Sequence, residues 1–291
     1  MGDLKKALRD FLNRIPPDLL RDEQDFELVS RQFMAMQNSQ PIDDFEGLSA
    51  SQMAQSLSGI EGFDGFTLQR QQTLDPADLC QVPLVAMFHV LAKDLGEKGI
   101  KLTPKGRLPR KVVLALYGAK RALVTDERFD LLPRLEDESA AVYAARAIFQ
   151  ELRLLRVIKG RMVLTALGKT LVPVASAQRL FWMIFEFTAR DFSWGYTDLY
   201  EADPHIQRSF VFSLWLLKKN QSWQPFSQFL ARYHRAFPML SDRCLLALQL
   251  RMTRVWQWMG VLELRLDEGS LDYRGGNDVL MLTRLGRALY G

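Results

Sequence analysis

Apolar residues recur with helical spacing over most of this chain and change to strand spacing in two places. Leu4, Ala7, Leu8, Phe11, Leu12 and Ile15 fall on one face of a first helix, which Pro16-Pro17 stops. A second helix is expected from Pro17 to about Met36, with Leu19, Leu20, Phe26, Leu28, Val29 and Phe33 facing inward. Residues 37–76 lose the pattern and are rich in Ser, Gln, Gly and Asp, so only a short helix from near Ser49 is expected there. From Asp75-Pro76 one helix carries Leu84, Val85, Phe88, Val90, Leu91 and Leu95 to a stop at Gly96 and Gly99. Pro109 opens the next, through Val112, Val113, Leu114 and Leu116, and residues 120–137 read as a charged loop.

The pattern is clearest in the middle. A helix from about Ser139 to Leu155 puts Ala141, Val142, Ala145, Ile148, Phe149 and Leu152 on one face. Arg156 to Leu164 then reads as a strand, a Lys159-Gly160 turn and a second strand. The last third repeats this plan. Helices are expected at 177–190, 207–219, 225–236 and 241–259, followed by a strand at 261–266, a polar loop at 267–277 and a return strand at 279–282.

One phrase punctuates the chain three times: Leu102-Thr103-Pro104-Lys105-Gly106-Arg107, Leu164-Thr165-Ala166-Leu167-Gly168-Lys169 and Leu282-Thr283-Arg284-Leu285-Gly286-Arg287. Its physical content is a strand that ends at threonine, whose hydroxyl caps a helix starting at once. Such a junction closes the wing of a winged helix. The intervals between the threonines, 62 and 118 residues, are unequal, which excludes a solenoid. The expected fold is therefore mainly α with small β-hairpin wings, as tandem winged-helix-like units behind an N-terminal helical region. The expected division is 1–97, 98–176 and 177–291.

Composition adds little to that picture. In 291 residues, 48% are apolar and 25% charged, which is ordinary for a packed protein, and 18 Phe with 6 Trp make aromatic packing prominent. Two cysteines in dissimilar contexts and three histidines fit a structural zinc site poorly and point to a reducing compartment. The opening Met-Gly-Asp-Leu-Lys-Lys lacks an apolar signal region, and no window approaches 18 uncharged apolar residues. The expectation is a cytoplasmic protein with no membrane partner and no cofactor. No Gly-rich phosphate loop, G-x-S-x-G or HExxH is present, so an enzyme is the less favoured reading.

Charge changes the picture more. The first 80 residues hold 14 acidic and 7 basic residues, and the remainder holds 31 basic and 20 acidic. Lys98, Lys101, Lys105, Arg107, Arg110, Lys111, Lys120 and Arg121 fall within 24 residues that contain no carboxylate. Such a cluster suits phosphate neutralisation, but a solvated face, or one covered by the acidic N-terminal region, is the commoner explanation. In a DNA-binding winged helix, the helix before the wing enters the major groove. Arg146 and Arg153 on that helix, with Arg156, Lys159 and Arg161 on the wing, are candidate phosphate contacts. Arg243, Arg251 and Arg254 repeat the arrangement in the last third, with Arg265 and Arg274 nearby. Gln150 is the one evident base reader on the 139–155 helix. The same fold also serves as a protein-interaction or self-association module, so DNA and a protein partner both remain open.

Two other constellations carry weaker readings. Asp198, Glu201, Asp203 and His205 fall within eight residues and would suit a divalent cation in a metal-dependent hydrolase, although their spacing matches no known ligand loop. The aromatics from Phe181 to Tyr233 suit base stacking, but helical spacing makes core packing the commoner explanation.

The stretches Phe45-Glu46-Gly47-Leu48-Ser49-Ala50-Ser51-Gln52-Met53 and Gly99 to Val113, which contains Lys101-Leu102-Thr103 and Leu108-Pro109-Arg110-Lys111, carry a resemblance. They are similar to a group of uncharacterised bacterial proteins with an F-x-G-L-S-P-x-Q-M phrase followed by G-L-K-L-T-x-x-G-x-L-P-R-K. The second phrase matches almost throughout, while Ala50 replaces the proline of the first. The resemblance covers roughly residues 40–115. It implies a bacterial cytoplasmic origin and a shared fold, and assigns no catalytic residue.

Overall fold

The computed structural model describes residues 2–16, 22–119, 132–198, 200, 203–265 and 278–291. The chain forms two compact units that divide between Gln55 and Ser56. The first unit contains α1 (Gly2–Leu12) and α2 (Glu23–Asn38). Asp22 caps α2 by accepting from Asp25 N at 2.9 Å, so the helix starts later than Pro17; residues 17–21 lie outside the described residues. Phe11 and Phe33 pack with ring centroids 5.2 Å apart. Ser49 then opens α3 (Ala50–Ser56) with a reciprocal capping box: Gln52 N donates to Ser49 Oγ, and Ser49 N to Gln52 Oε1.

The second unit begins with a hairpin, β1 (Gly62–Phe63) and β2 (Phe66–Thr67). The Asp64-Gly65 pair that turns it, flanked by phenylalanines, is a hairpin signal lying inside the stretch expected to be irregular. The hairpin ties down the end of the chain. Thr67 N donates to Gly291 O at 2.8 Å, Gly291 N returns a bond to Thr67 O at 3.0 Å, and the Tyr290 hydroxyl donates to Ile60 O at 2.6 Å. The helix expected from Pro76 to Leu95 is two helices, α4 (Pro76–Leu79) and α5 (Pro83–Leu95). Pro83 has no N–H to continue the first and is pre-set to start the second.

Two modules of like topology follow. The first comprises α5, β3 (Ile100–Lys101), α6 (Arg110–Ala119), α7 (Ala140–Glu151), β4 (Leu155–Ile158), β5 (Arg161–Leu164) and α8 (Ala166–Thr170). A bridging segment contains α9 (Ala177–Arg190), a 3-10 turn at Trp194–Thr197 and α10 (Pro204–Arg208). The second module comprises α11 (Phe210–Lys218), β6 (Gln224–Pro225), α12 (Phe226–Ala236), α13 (Asp242–Arg251), β7 (Leu262–Arg265), β8 (Val279–Leu282) and α14 (Arg284–Ala288). A π-turn at Met252–Trp256 carries α13 onward. Both sheets are three-stranded and antiparallel, ordered β3-β5-β4 and β6-β8-β7, so in each the early short strand pairs with the last. The molecule is thus mainly helical with small antiparallel sheets. The expected boundary at residue 97 falls between α5 and the helices α6 and α7 that it packs against.

The threonine phrase works alike in both modules. Thr165 Oγ1 accepts from Gly168 N at 3.0 Å and donates to Arg153 O at 2.6 Å; Thr283 Oγ1 accepts from Gly286 N at 2.8 Å and donates to Gly260 O at 2.7 Å. A Cβ on Gly168 or Gly286 would lie 2.3 Å from the backbone oxygen of Leu154 or Val261, so glycine alone lets the short helix close onto the strand. Thr103 departs from the expectation. Its hydroxyl accepts from Arg107 N at 3.1 Å and closes a turn, and α6 begins only after Pro109.

The aromatic series is core. Phe210 packs edge-on to Trp256 at 4.9 Å, Trp194 packs on both, and Trp194 Nε1 donates to Thr188 O at 2.8 Å. Phe181, Phe185, Phe212, Phe226, Phe229 and Tyr233 are buried as well, and Tyr196 remains exposed.

Candidate nucleic-acid interface

The Lys159-Gly160 turn, with φ of 47° and 71°, is the tight hairpin form that fixes register. That register sorts side chains by face. Lys101 lies opposite Arg161, Arg161 opposite Ile158, and Val163 opposite Arg156. Directly paired residues point the same way, so Lys101, Arg161 and Arg156, one from each strand, share the outer face of the sheet. The opposite face holds Leu155, Met162 and Leu164, all buried, and near its tip the exposed Val157. Lys98, Lys105, Arg153, Lys159 and Lys169 are exposed around this sheet. Among the described residues none of Lys98, Lys101, Lys105, Arg153, Arg156, Lys159 or Lys169 has a carboxylate partner. No carboxylate occurs from Leu152 to Phe185. Arg161 is half-buried and donates to Lys98 O at 2.8 Å and Gly99 O at 2.7 Å, which pins its guanidinium without neutralising it. Arg110 and Lys111 are exposed in the first turn of α6. Lys120, Arg121 and Arg274 lie outside the described residues.

Several expected contacts are committed elsewhere. Arg146 is not an outward phosphate contact. Its Nη1 binds both oxygens of buried Glu136 at 3.0 and 2.8 Å, its Nη2 donates to Gly106 O at 2.9 Å, and its Nε to Gln150 Oε1 at 3.2 Å. Gln150 is thereby engaged by a neighbour. Arg107 pairs with Asp137 at 2.6 Å. Tyr143, on the outward face of α7, stacks on Tyr196 with centroids 5.2 Å apart and planes 9° apart. The hydrogen bond to Tyr143, with burial, pushes the Tyr196 phenol up to about 12. These side chains wall a cavity of about 340 Å³. The helix expected to enter a major groove is therefore covered by the chain's own residues.

Arg251 is likewise a core residue and not a surface cation. Its Nε and Nη2 grip Asp198 at 2.8 and 3.1 Å, with the two side chains 3% and 2% exposed. Arg254 is half-buried, and its neighbours Met252, Thr253, Val255 and Trp256 are buried. The Asp198–Arg251 pair also takes the first ligand away from the weaker, metal reading of this segment. Asp198 is saturated by a guanidinium, Asp203 caps α10 by accepting from His205 N at 2.8 Å, His205 is exposed, and Glu201 lies outside the described residues. Among the described residues no group of three His, Cys, Asp or Glu is placed to hold a metal ion. Cys80 and His89, nine residues apart, do meet, with Sγ 4.0 Å from Nε2. Burial pushes the thiol up and the imidazole down, which favours the neutral pair over a thiolate nucleophile.

Equivalent positions in the second module give a built-in comparison. Counting from the threonine junction, Arg156 corresponds to Glu263, Ile158 to Arg265, Arg161 to Val279 and Lys101 to Pro225. Arg265 is not free, since its guanidinium lies 4.0 Å over the Trp223 ring. One sheet face is thus cationic, and its counterpart mixed and largely apolar. Lys101, read from sequence as part of the basic cluster, and Arg156, read as a wing contact, are brought onto one face. The register fixed by the Lys159-Gly160 turn is the signal that places them.

No helix among the described residues is long and apolar enough to cross a membrane. Comparison with known proteins finds no matching family model, curated protein or solved structure.

Proposed function

We propose that the two modules are tandem winged-helix-like units and that the chain is a non-catalytic DNA-binding protein, which grips the phosphate backbone through the first wing. The observation that carries this reading is the outer face of the β3-β5-β4 sheet, where each strand contributes a cation, in a stretch without carboxylates. Phosphates release counterions when such a face engages them, so affinity falls with salt. The covered α7, and Arg251 of α13 held inside by Asp198, argue against base reading, so little sequence preference is expected. A gel-shift titration of random-sequence duplex tests this. Binding whose log–log salt slope is roughly −3 to −5, as expected for about four to five neutralised phosphates, supports the reading. Absence of binding at micromolar protein and low salt removes it.

A second reading, a protein-interaction or self-association module, is favoured by one observation: α7 and α13 already serve protein contacts inside the chain. Light scattering that finds an obligate oligomer indifferent to DNA would favour it over the first.

A further inference from the structure

Val157 and Ile158, beside the tip of the first wing, are 44% and 41% exposed. Their counterparts in the second wing are not left bare. Leu264, at the position of Val157, is 6% exposed, and Arg265, at the position of Ile158, is laid over Trp223. The two modules share register and junction, so the difference does not come from the fold of a wing. The first wing retains two branched aliphatic residues without cover. Ile158 shares the outer face with Arg156 and Arg161, and Val157 lies on the opposite face beside Met162; Arg153, Arg156 and Lys159 nearby are exposed and without carboxylate partners among the described residues. β4, which bears Val157 and Ile158, is an edge strand of its sheet.

A partner for this tip must offer dense negative charge and, within reach of it, apolar surface. A second copy of the same wing fails the first condition, because it would bring like charges together. Duplex DNA meets both, with phosphates along the groove walls and stacked base faces between them. Proteins that bind the minor groove combine basic side chains with apolar wedges that unstack a base step and bend the duplex. Resting on the DNA-binding reading above, we infer that the first wing enters the minor groove and inserts Ile158 as a wedge that kinks the DNA, while Arg156 and Lys159 hold the flanking phosphates.

The test uses the whole chain and a random-sequence duplex labelled at both ends for energy transfer. Three proteins are compared: the natural chain, V157T/I158S, and R156A/K159A. Both variants change exposed side chains, and thermal melting checks that they fold as the natural chain does. The natural chain is expected to bring the duplex ends together at saturation, by a bend in the range of about 20–90° typical of wedge insertion. V157T/I158S is expected to bind within about threefold of the natural chain at low salt, since its phosphate contacts are intact, and to leave the duplex straight. R156A/K159A is expected to weaken binding and flatten its salt slope. A V157T/I158S protein that bends DNA as the natural chain does overturns the wedge and leaves backbone binding standing. A natural chain that binds no duplex overturns both. Binding to vesicles of mixed phosphatidylserine and phosphatidylcholine that V157T/I158S abolishes, with DNA bending unchanged, overturns the wedge in favour of a lipid surface.

Discussion

Arg153 has φ of 56°, in the left-handed region, at the helix-to-strand junction where the second module has Gly260 at 73°. An arginine there costs backbone energy that glycine avoids, and keeps a cation beside the first wing. Arg153→Gly is predicted to raise stability by about 0.5–1 kcal/mol in urea unfolding and to weaken DNA binding; a loss of stability would contradict the strain. The converse holds at Gly260, where a Cβ would sit 3.0 Å from Val82 Cγ2 in addition to the unfavourable φ. The Asp198–Arg251 pair is another residue-scale commitment. Asp198→Ala would strand a guanidinium that is 3% exposed, and should cost about 3–5 kcal/mol, whereas Asp198→Leu with Arg251→Met should recover most of it. His89 adds a pH dependence. Burial holds its pKa below the ordinary 6.5, so the unfolded chain takes up the proton first. Its contribution to stability is present above pH 6.5 and lost as pH falls toward the folded value. His89→Phe should flatten that part of the stability profile between about pH 7 and 5, and an unchanged profile would refute the assignment.

At the scale of elements, the threonine junction is the recurring device, and it was legible because its chemistry is local. Thr165 and Thr283 cap short helices behind paired strands, as strand periodicity and cap preference imply. Thr103 shares the letters but not the role, because the chain turns at Gly106, with φ of 73°, and Pro109 delays the next helix. Replacing either capping threonine by valine should cost about 1 kcal/mol, whereas Thr103→Val should cost less; equal losses at all three would contradict the distinction. The helix faces were less legible. Spacing puts Arg146 and Arg251 on helices, but Glu136 and Asp198, which neutralise them, arrive from 10 and 53 residues away in sequence. No local pattern encodes that. The same holds for β3 and β6, two-residue strands fixed by pairing with β5 and β8. The sheet face became readable only once register joined Lys101 to Arg161 and Arg156.

For the whole molecule, the contrast between the two wings decides the account. Formal net charge is only +4, so bulk attraction to polyanions is modest, and the proposed DNA binding rests on local concentration of cations. The most direct measurement is fluorescence anisotropy of a labelled duplex at low salt with two substituted proteins. One neutralises the first wing (Lys101→Gln, Arg156→Gln, Lys159→Gln), and the other neutralises two arginines of the second module (Arg265→Gln, Arg284→Gln). The account predicts that the first loses affinity by at least about tenfold and sheds about three units of salt slope, while the second binds nearly as the natural chain does. Equal affinity of the natural and first-wing proteins, or a larger loss in the second, would contradict it.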